Sequence, residues 1–412
     1  MFASTAFGQL RYIPETTAGV TPVVGNGINL RTTGPDMKAA VQSVVSQEIS
    51  PKRMVSSSTN VDLTVDGGFA FEMSSKEYDP FMLGVIGAAD WTHYGTSGLG
   101  TQFGMTTTAG VVTADVAPTG TSAFSNLAAG DWFQIIPDAS ASDAVKDYFR
   151  SKWLRVHATT APTSTTITLD PTTQLGGAGL IAVALQAAVT SSKAVNGSNR
   201  SSFTLEWDQT DITQYLAFRG MRPNTMSLNF AVGAILTGNF GFFGQTHTIA
   251  QTSGMPNAPT FTASQSGDVM NSVTDMGVLT VGSNNVLSGG TSFVHNVKLD
   301  LTNNLRGQKA LGVFGNAGVG YGEFAVSGTM ECYFEDQTLY EMALNGDNTS
   351  LHLGVSDIAG NGYLYSMPKV KFKDPGLNLG NKDSDVMLSL PFQAFYQESL
   401  GHGFSVYRSV AA

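Results

Sequence analysis

The sequence predicts a mainly β protein with two similar β-sandwich or barrel units, each flanked by a short helix, and a small inserted β domain. Short runs rich in Val, Thr, Phe and Leu alternate with polar residues and end at Gly, Asn and Asp turns, as strands do. One order of strands and helix occurs twice along the chain. Residues 88–196 separate the helix from the next strand in the first copy, whereas only a few residues do so in the second.

The first copy begins with a strand pair that includes residues 61–65 and 69–73 and leads into a helix at 74–86. Ser74 and Glu77 have the spacing of a capping box, and Asp79-Pro80 offers a second start with Asp as the N-cap and Pro at the first helical position. Gly87 closes the helix. Further strands are predicted at 202–207 and 225–230, and a hairpin that ends at 235–243.

The second copy repeats this order. Its strands at 293–299 and 327–334 lead into a helix at 336–344 that ends at Asn345-Gly346, with Tyr340, Ala343 and Leu344 on one face. A strand at 351–354 and a hairpin strand at 386–395 follow.

The inserted domain starts and ends in stretches rich in Gly, Thr and Ser, at 95–110 and 190–202, which are typical of linkers. Between them, strands are predicted at 131–136, 152–157 and 165–169, enough for a small β-barrel or β-sandwich. The predicted domains are 1–89 with 197–265 for the first unit, 90–196 for the insertion and 266–412 for the second unit.

The composition excludes several classes of protein. The 412 residues, of which 42% are hydrophobic, can fill two or three compact cores. No apolar run has the length of a membrane helix, and residues 1–10 lack the pattern of a secretory signal. Cys332 is the only cysteine, which excludes an intrachain disulfide and a multi-cysteine zinc site, so we expect a buried thiol.

Charged residues make up only 13% of the chain, about half the usual share. Because the buried parts of interfaces are depleted in charge, this low share is consistent with a surface that is covered by other copies of the chain. A neutral, polar β protein that stays monomeric is the alternative. The net charge of -10 argues against tight binding of nucleic acid, which requires phosphate neutralisation, but allows a surface that DNA passes without being held.

No constellation for catalysis, a cofactor or a metal emerges, so the sequence predicts a protein that is not an enzyme. Residues 320–325 fit the dinucleotide-binding pattern formally, but they lie in a Gly-rich turn with no helix after them. No nucleophile elbow, Walker loop or calcium loop is present. The histidines lack the spacing of metal motifs and are expected to be polar strand or loop residues: His93, His157, His247, His295, His352 and His402.

Two further clusters are assigned to packing and to a strand surface. Phe240, Phe242 and Phe243 lack the interleaved basic residues of a single-strand nucleic acid binder, so core or interface packing is expected. Lys369, Lys371 and Lys373 alternate with apolar residues, as the polar face of one strand should, although pairing with an acidic patch on another copy stays open.

Several segments, in order, resemble the tail tube proteins of long, non-contractile-tailed bacteriophages (siphophages). They cover nearly the whole chain outside the insertion, and the insertion, with Gly130-Asp131-Trp132, is similar to an extra domain that some members carry. The segments are 10–22 (LRYIPETTAGVTP), 46–53, 78–81 (YDPF), 200–204, 215–221 (YLAFRGM), 333–340 (YFEDQTLY) and 390–396 (LPFQAFY).

The resemblance implies a β-sandwich tube domain whose long hairpins join around a ring into a barrel that lines a channel. Since the family's usual ring has six single-domain copies, a chain with two units would close as a trimer with pseudo-sixfold symmetry; a true hexamer is the alternative. The candidate lumen-facing acids are Asp62, Asp66, Glu72, Glu331 and Glu335. Strand alternation is expected to turn about half of them elsewhere.

The expected function is therefore a major tail tube subunit in the virion tail, made in the host cytoplasm. Stacked rings would surround DNA during ejection, and an acidic lumen would let it slide. The expected partners are other copies of the chain and the tape-measure, tail terminator and distal tail proteins, with no cofactor and no membrane. The main alternative is a carbohydrate-binding or adhesive β-sandwich protein, and an enzyme ranks behind both.

Overall fold

The computed structural model describes residues 4–49, 51, 54–99, 101–108, 110–173, 175, 185–282, 284–287, 293–335 and 337–410. The chain is mainly β, and its named strands pair antiparallel, which confirms the predicted fold class. The first elements are β1 (Gly8–Pro14), β2 (Ile28–Leu30), β3 (Gly34–Val45), β4 (Ser58–Glu72) and α1 (Asp79–Ile86).

A group of shorter elements follows. It comprises β5 (Thr92–Leu99), β6 (Phe103–Thr108), β7 (Val111–Ala114), β8 (Trp132–Pro137), α2 (Asp143–Phe149), β9 (Leu154–Arg155), β10 (Thr166–Thr168) and β11 (Leu185–Val195). Short 3-10 helices occur at Thr5–Phe7, Gly120–Ser122, Phe124–Asn126 and Pro171–Thr173.

The chain then returns to long strands. They are β12 (Phe203–Gln209), β13 (Gln214–Ala231), β14 (Thr237–Gly244), β15 (Thr246–Ala250), β16 (Met276–Val281), β17 (Asn284–Asn285), β18 (Val294–Thr302), β19 (Arg306–Gln308), β20 (Gly318–Gly320) and β21 (Ala325–Tyr333). The last elements are α3 (Thr338–Asn345), β22 (Thr349–Ser356), β23 (Gly362–Phe372), β24 (Gly376–Asn378), β25 (Met387–Ala394) and β26 (Ser405–Ser409).

One order of strand pairing occurs twice. In the first sandwich (β1–β4, α1 and β12–β15), β1 pairs with β12, β12 with β13, β13 with β14 and β15, and β4 with both β3 and β14. In the second sandwich (β16–β18 and β21–β26 with α3), β16 pairs with β22, β22 with β23, β23 with β25 and β26, and β21 with both β18 and β25. Each strand of the first sandwich therefore has a counterpart in the second.

A pair of glycines shows how close this correspondence is. Gly67 in β4 and Gly328 in β21 occupy matching places in the two ladders. A Cβ atom at Gly67 would collide with the carbonyl oxygen of Asp36 in β3, and one at Gly328 with that of Lys298 in β18. The backbone thus approaches its neighbour closely at the same point in both sandwiches, where only glycine fits.

The two sandwiches share one long sheet, in the order β3–β4–β14–β13–β18–β21–β25, with β24 and the end of β23 on the far side of β25. The joint between them is the pair β13–β18, in which Leu228 lies opposite Leu299 and Asn229 opposite Lys298. A single hydrophobic core, which includes Phe69, Phe240, Leu299 and Tyr365, extends through both sandwiches.

The third group (β5–β11 and α2) has its own core, which includes Phe133 and Ile167. It is fixed to the second sandwich, because β11 pairs with β26 and because Trp132 and Trp153 are buried against Leu364 and Tyr407. The expectation that 95–110 and 190–202 are linkers is wrong for much of both stretches: β5, β6 and β11 extend into them and pair. Thr and Ser satisfied the turn pattern, but they also occur readily in strands.

The helices differ from the predictions at their starts. α1 begins at Asp79, so the start at Ser74 is wrong: Ser74 lies in an extended segment bridged to Val269. Tyr78 and not Asp79 is the N-cap, and Pro80 follows in the first turn. α3 begins at Thr338, and the predicted first residue, Asp336, lies outside the described residues. Gly87 and Gly346 end the two helices in the left-handed conformation, as the sequence indicated. The sequence reasoning missed α2.

Candidate functional site: the polar face and open edges of the long sheet

One face of the long sheet packs on the core and the other is polar. In β4, Val65, Phe69 and Phe71 are buried at alternate positions, which places the residues between them on the opposite face. In β21, Val326 and Met330 are buried in the same way. The polar face is therefore continuous across both sandwiches.

Four of the five candidate acids lie on this polar face. Asp62, Asp66 and Glu72 are in β4 and alternate with its buried residues, and Glu331 in β21 does the same. Strand alternation thus does not divide these four as expected, because their spacings in β4 are even. Glu335 lies outside the sheet, exposed in the connection between β21 and α3.

Lysine side chains pair with some of these acids. Lys309 Nζ donates to Asp62 Oδ1 at 2.7 Å, and this hydrogen bond lowers the pKa of Asp62 below its ordinary value. Lys38 Nζ lies 3.5 Å from Asp66 Oδ1, and both side chains are substantially exposed. Exposed pairs of this kind contribute little to stability, so they mainly set the local charge.

The register adds residues to the polar face that sequence reasoning missed. Asp36 in β3 lies opposite Gly68, and Asp300 in β18 lies opposite Ser327, and both partners are on the polar face. These two acids can be found only when the strand pairs are known. This face carries both signs of charge. Its carboxylates are those of Asp36, Asp62, Asp66, Glu72, Asp300 and Glu331, and its basic side chains are those of Lys38, Arg222, Lys298, Lys309, Lys369, Lys371 and Lys373.

The long sheet is open at both ends. Within the described residues, β3 pairs only with β4, and β24 only with β25. The hairpin β3–β4 also carries exposed apolar side chains toward its tip, including Val41, Val44, Ile49 and Val55. An unpaired edge next to exposed apolar residues is a site of association between chains.

The connection between β18 and β21, residues 303–324, is the counterpart of that hairpin tip in the second sandwich. It lies on the first sandwich, where Asn316 Nδ2 donates to the Gly244 carbonyl at 3.0 Å and Lys309 reaches Asp62. Within one chain, the tip of the second sandwich thus contacts the first sandwich.

The aromatic cluster, the cysteine and the Gly-rich motif lie in strands or in the connections between them. Phe240 and Phe242 are buried beside Phe69, whereas Phe243 is on the polar face and partly exposed. Cys332 is buried and burial raises the pKa of its thiol to about 11. The 320–325 motif joins β20 to β21 with no intervening helix.

Groups of three or more metal-binding side chains do not occur among the residues that the structure describes. In the same part of the chain, none of the helices has the length and apolar character needed to span a bilayer.

The architecture agrees with one family of known proteins. A comparison with curated proteins gives no match. The family model described as phage tail tube protein matches residues 6–394, which include the first sandwich, the third group, the open edge strands and all of the second sandwich except β26. Because this match extends over nearly the whole sequence, the chain belongs to the phage tail tube protein family, a family of structural proteins of the virion tail.

Proposed function

We propose that this chain is a major tail tube subunit that polymerises as stacked rings around a channel for DNA ejection. The single observation that carries the proposal is the long sheet with an open edge at each end and a sandwich-to-sandwich joint in its middle. A sheet that already joins two similar units can continue by the same joint into the next chain, and a closed ring leaves no edge unpaired.

The domain division supports this proposal. We place the first tube unit at 1–89 and 197–265, the inserted domain at 90–196 and the second unit at 266–412. The repeated pairing order of the two sandwiches supports two units per chain. With six units in a ring, as the resemblance implies, three chains would close it with pseudo-sixfold symmetry.

The joint between chains follows from the joint within the chain. Matching the ladders makes β24 the counterpart of residues 227–229 near the end of β13, and β3 the counterpart of β18. Asn229 lies opposite Lys298, so Asn378 of one chain would lie opposite Asp36 of the next. Likewise Leu377, which is 38% exposed, would lie opposite Met37, as the buried Leu228 lies opposite Leu299.

The polar face of the long sheet would line the channel. Asp62, Asp66, Glu72 and Glu331 would then face the DNA, and Glu335 would lie near the rim. The net charge of -10 favours repulsion of phosphate over retention. DNA would pass without specific binding.

The remaining parts of the proposal concern the assembled tail. The third group would lie on the outside of the tube, because it packs on the second sandwich away from the long sheet. The ends of the tube would contact the tail terminator and distal tail proteins, and its lumen the tape-measure protein. The subunit would be made in the host cytoplasm before assembly, in a siphophage tail.

Electron microscopy of the purified protein over a range of concentrations tests the proposal. Hollow tubes or stacked rings are the expected result, with three chains in each ring. Monodisperse monomers that bind glycans on an array, at concentrations where tail tubes should form, would support the carbohydrate-binding alternative and refute the tube.

A further inference from the structure

A groove of about 930 Å³ opens on the β3 side of the first sandwich, between the long sheet and the short sheet of β1, β12 and β13. Leu10, Met37, Trp207, Leu216 and Phe218 line it. Trp207 and Leu216 are only partly buried, although they lie on the core side of their strands. The first sandwich is therefore incompletely closed on the side where β3 is open.

The second sandwich is closed at the corresponding place. Matching the ladders makes Leu353 the counterpart of Trp207, Tyr365 that of Leu216 and Met367 that of Phe218. These three counterparts are each at most 1% exposed.

The α1 corner of the first sandwich lies on Tyr363, two residues before Tyr365 and on the same side of β23. Tyr363 Oη donates to Asp79 Oδ1, and the Lys76 N–H donates to Tyr363 Oη at 2.7 Å. Arg408 in β26 donates to Asp79 Oδ2 and completes the contact. The helix of one sandwich thus closes the side of the next.

The helix of the second sandwich has no such neighbour within the chain. Alignment of α1 and α3 on Gly87 and Gly346 makes Leu344 the counterpart of Val85. Val85 is fully buried, whereas Leu344 is 62% exposed. Phe334, before α3, is 38% exposed, whereas its counterpart Met73 is 2% exposed.

We infer that the groove of the first sandwich is the seat for the α3 corner of a second copy of this chain. This seat rests on the proposed ring, since the same direction of contact that places α1 on Tyr363 places α3 of one chain on Gln214 of the next, two residues before Leu216 in the groove. Leu344 of α3 is exposed, and Trp207 and Leu216 of the groove are only partly buried, so a contact between them would bury apolar surface on both chains. The seat would add a side-chain contact to the strand joint and fix the angle between neighbouring chains.

A charge at the exposed helix position tests this seat. In Leu344→Asp, burying a carboxylate against the apolar side chains of Trp207 and Leu216 should raise the protein concentration needed for tube formation by roughly tenfold or more. Leu400→Asp is the matched control, because Leu400 is 47% exposed in a loop after β25 that does not line the groove. For both variants, sedimentation of the tubes measures the protein concentration needed for tube formation. Equal assembly of Leu344→Asp and wild type would overturn the seat but leave the tube intact, whereas failure of the wild type to assemble would overturn both proposals.

A second design keeps the test independent of folding defects. Thr338 is the counterpart of Asp79, and the exposed Gln251, which follows β15 and continues its pairing to the place opposite Gln214, is the counterpart of Arg408. Thr338→Asp and Gln251→Arg should each weaken assembly by roughly threefold or more, and the double variant should recover to within about twofold of wild type. The recovery should weaken at high salt. Additive losses in the double variant would show that the two positions do not meet.

Discussion

At the scale of single residues, His352 is a histidine whose pKa is set mainly by its burial. Its ring lies 5.0 Å from the Trp132 ring, and its Nδ1 is 2.9 Å from Ser366 Oγ. Burial, with a smaller contribution from the charge of Arg155, lowers the pKa of His352 to about 3. Between this value and the ordinary pKa of about 6.5, the unfolded chain binds a proton that the folded chain does not.

This pKa predicts the pH dependence of stability. The free energy of unfolding should fall as the pH is lowered from about 6.5 toward 3, by a few kcal/mol. In His352→Gln this part of the loss should disappear, even if the variant is less stable at pH 7. Chemical denaturation at pH 7 and pH 4 measures it, with the partly exposed His157→Gln as the control. An unchanged difference between the two pH values in His352→Gln would contradict the assignment.

Residue-level prediction from the sequence succeeded where the local pattern determines structure. Gly87 and Gly346 were placed correctly because a left-handed helix end favours glycine. The start of α1 was misplaced, because Ser74 and Glu77 satisfy the capping-box spacing but Glu77 accepts hydrogen bonds from Arg31 and Gln265 in other segments. Those partners are distant in the chain, so no local rule could find them.

At the scale of elements, the third group is attached by a compact set of contacts. Trp153 is 1% exposed in the cluster with Leu364 and Tyr407. Nearby, Ser151 Oγ donates to the Ser356 carbonyl at 3.0 Å and Arg150 lies 3.5 Å from Asp275. The insertion follows α1 of the first sandwich but rests on the second, so it links the two.

Removing the Trp153 side chain should weaken the attachment of the third group to the second sandwich. Trp153→Ala leaves a cavity and should cost about 3–5 kcal/mol of stability. Hydrogen exchange should increase in β8, β9 and β26, with little change in β3 and β4, and Val116→Ala, at a site 74% exposed in the same group, is the control. Uniform faster exchange across both sandwiches would show that the third group is not a separate cooperative part.

The elements also show what sequence patterns can supply. β25 is predicted from the sequence with nearly correct bounds, because alternation of buried and exposed residues is a strong signal. The predicted strand pair at 61–65 and 69–73 is wrong, since both segments belong to the single strand β4, whose partner is β3. β5 and β6 were missed, because their Thr and Gly residues satisfy turn and strand patterns alike. Their pairing with β11 comes from contacts across the group, which no window of sequence contains.

At the scale of the whole molecule, the candidate acids belong together only because the long sheet joins both sandwiches. Sequence reasoning named Glu72 and Glu331, which lie in different sandwiches but on one face. It could not name Asp36 or Asp300, since their membership depends on the pairs β3–β4 and β13–β18.

Charge reversal on this face tests the proposed lumen. The double variant Glu72→Lys with Glu331→Lys should still form tubes but should retain duplex DNA, because the added lysines release counterions from phosphate. Co-sedimentation with DNA should increase by roughly tenfold at low salt and disappear at high salt. Glu398→Lys, in the exposed loop after β25, is the matched control. Equal DNA retention by the control and the double variant would place the acids outside the channel.

We propose that the open edges β24 and β3 of neighbouring chains pair with each other in the same register as the internal joint β13–β18. A chain with Asp36→Cys and Asn378→Cys tests it most directly, because opposed residues of an antiparallel pair lie close enough for a disulfide and the native Cys332 is buried. Oxidation of assembled tubes should link neighbouring chains into a closed three-chain product. A chain with Lys38→Cys and Asn378→Cys, two residues out of register, should link far less. Preferential linking of the shifted pair, or no linking of either pair in intact tubes, would contradict the account.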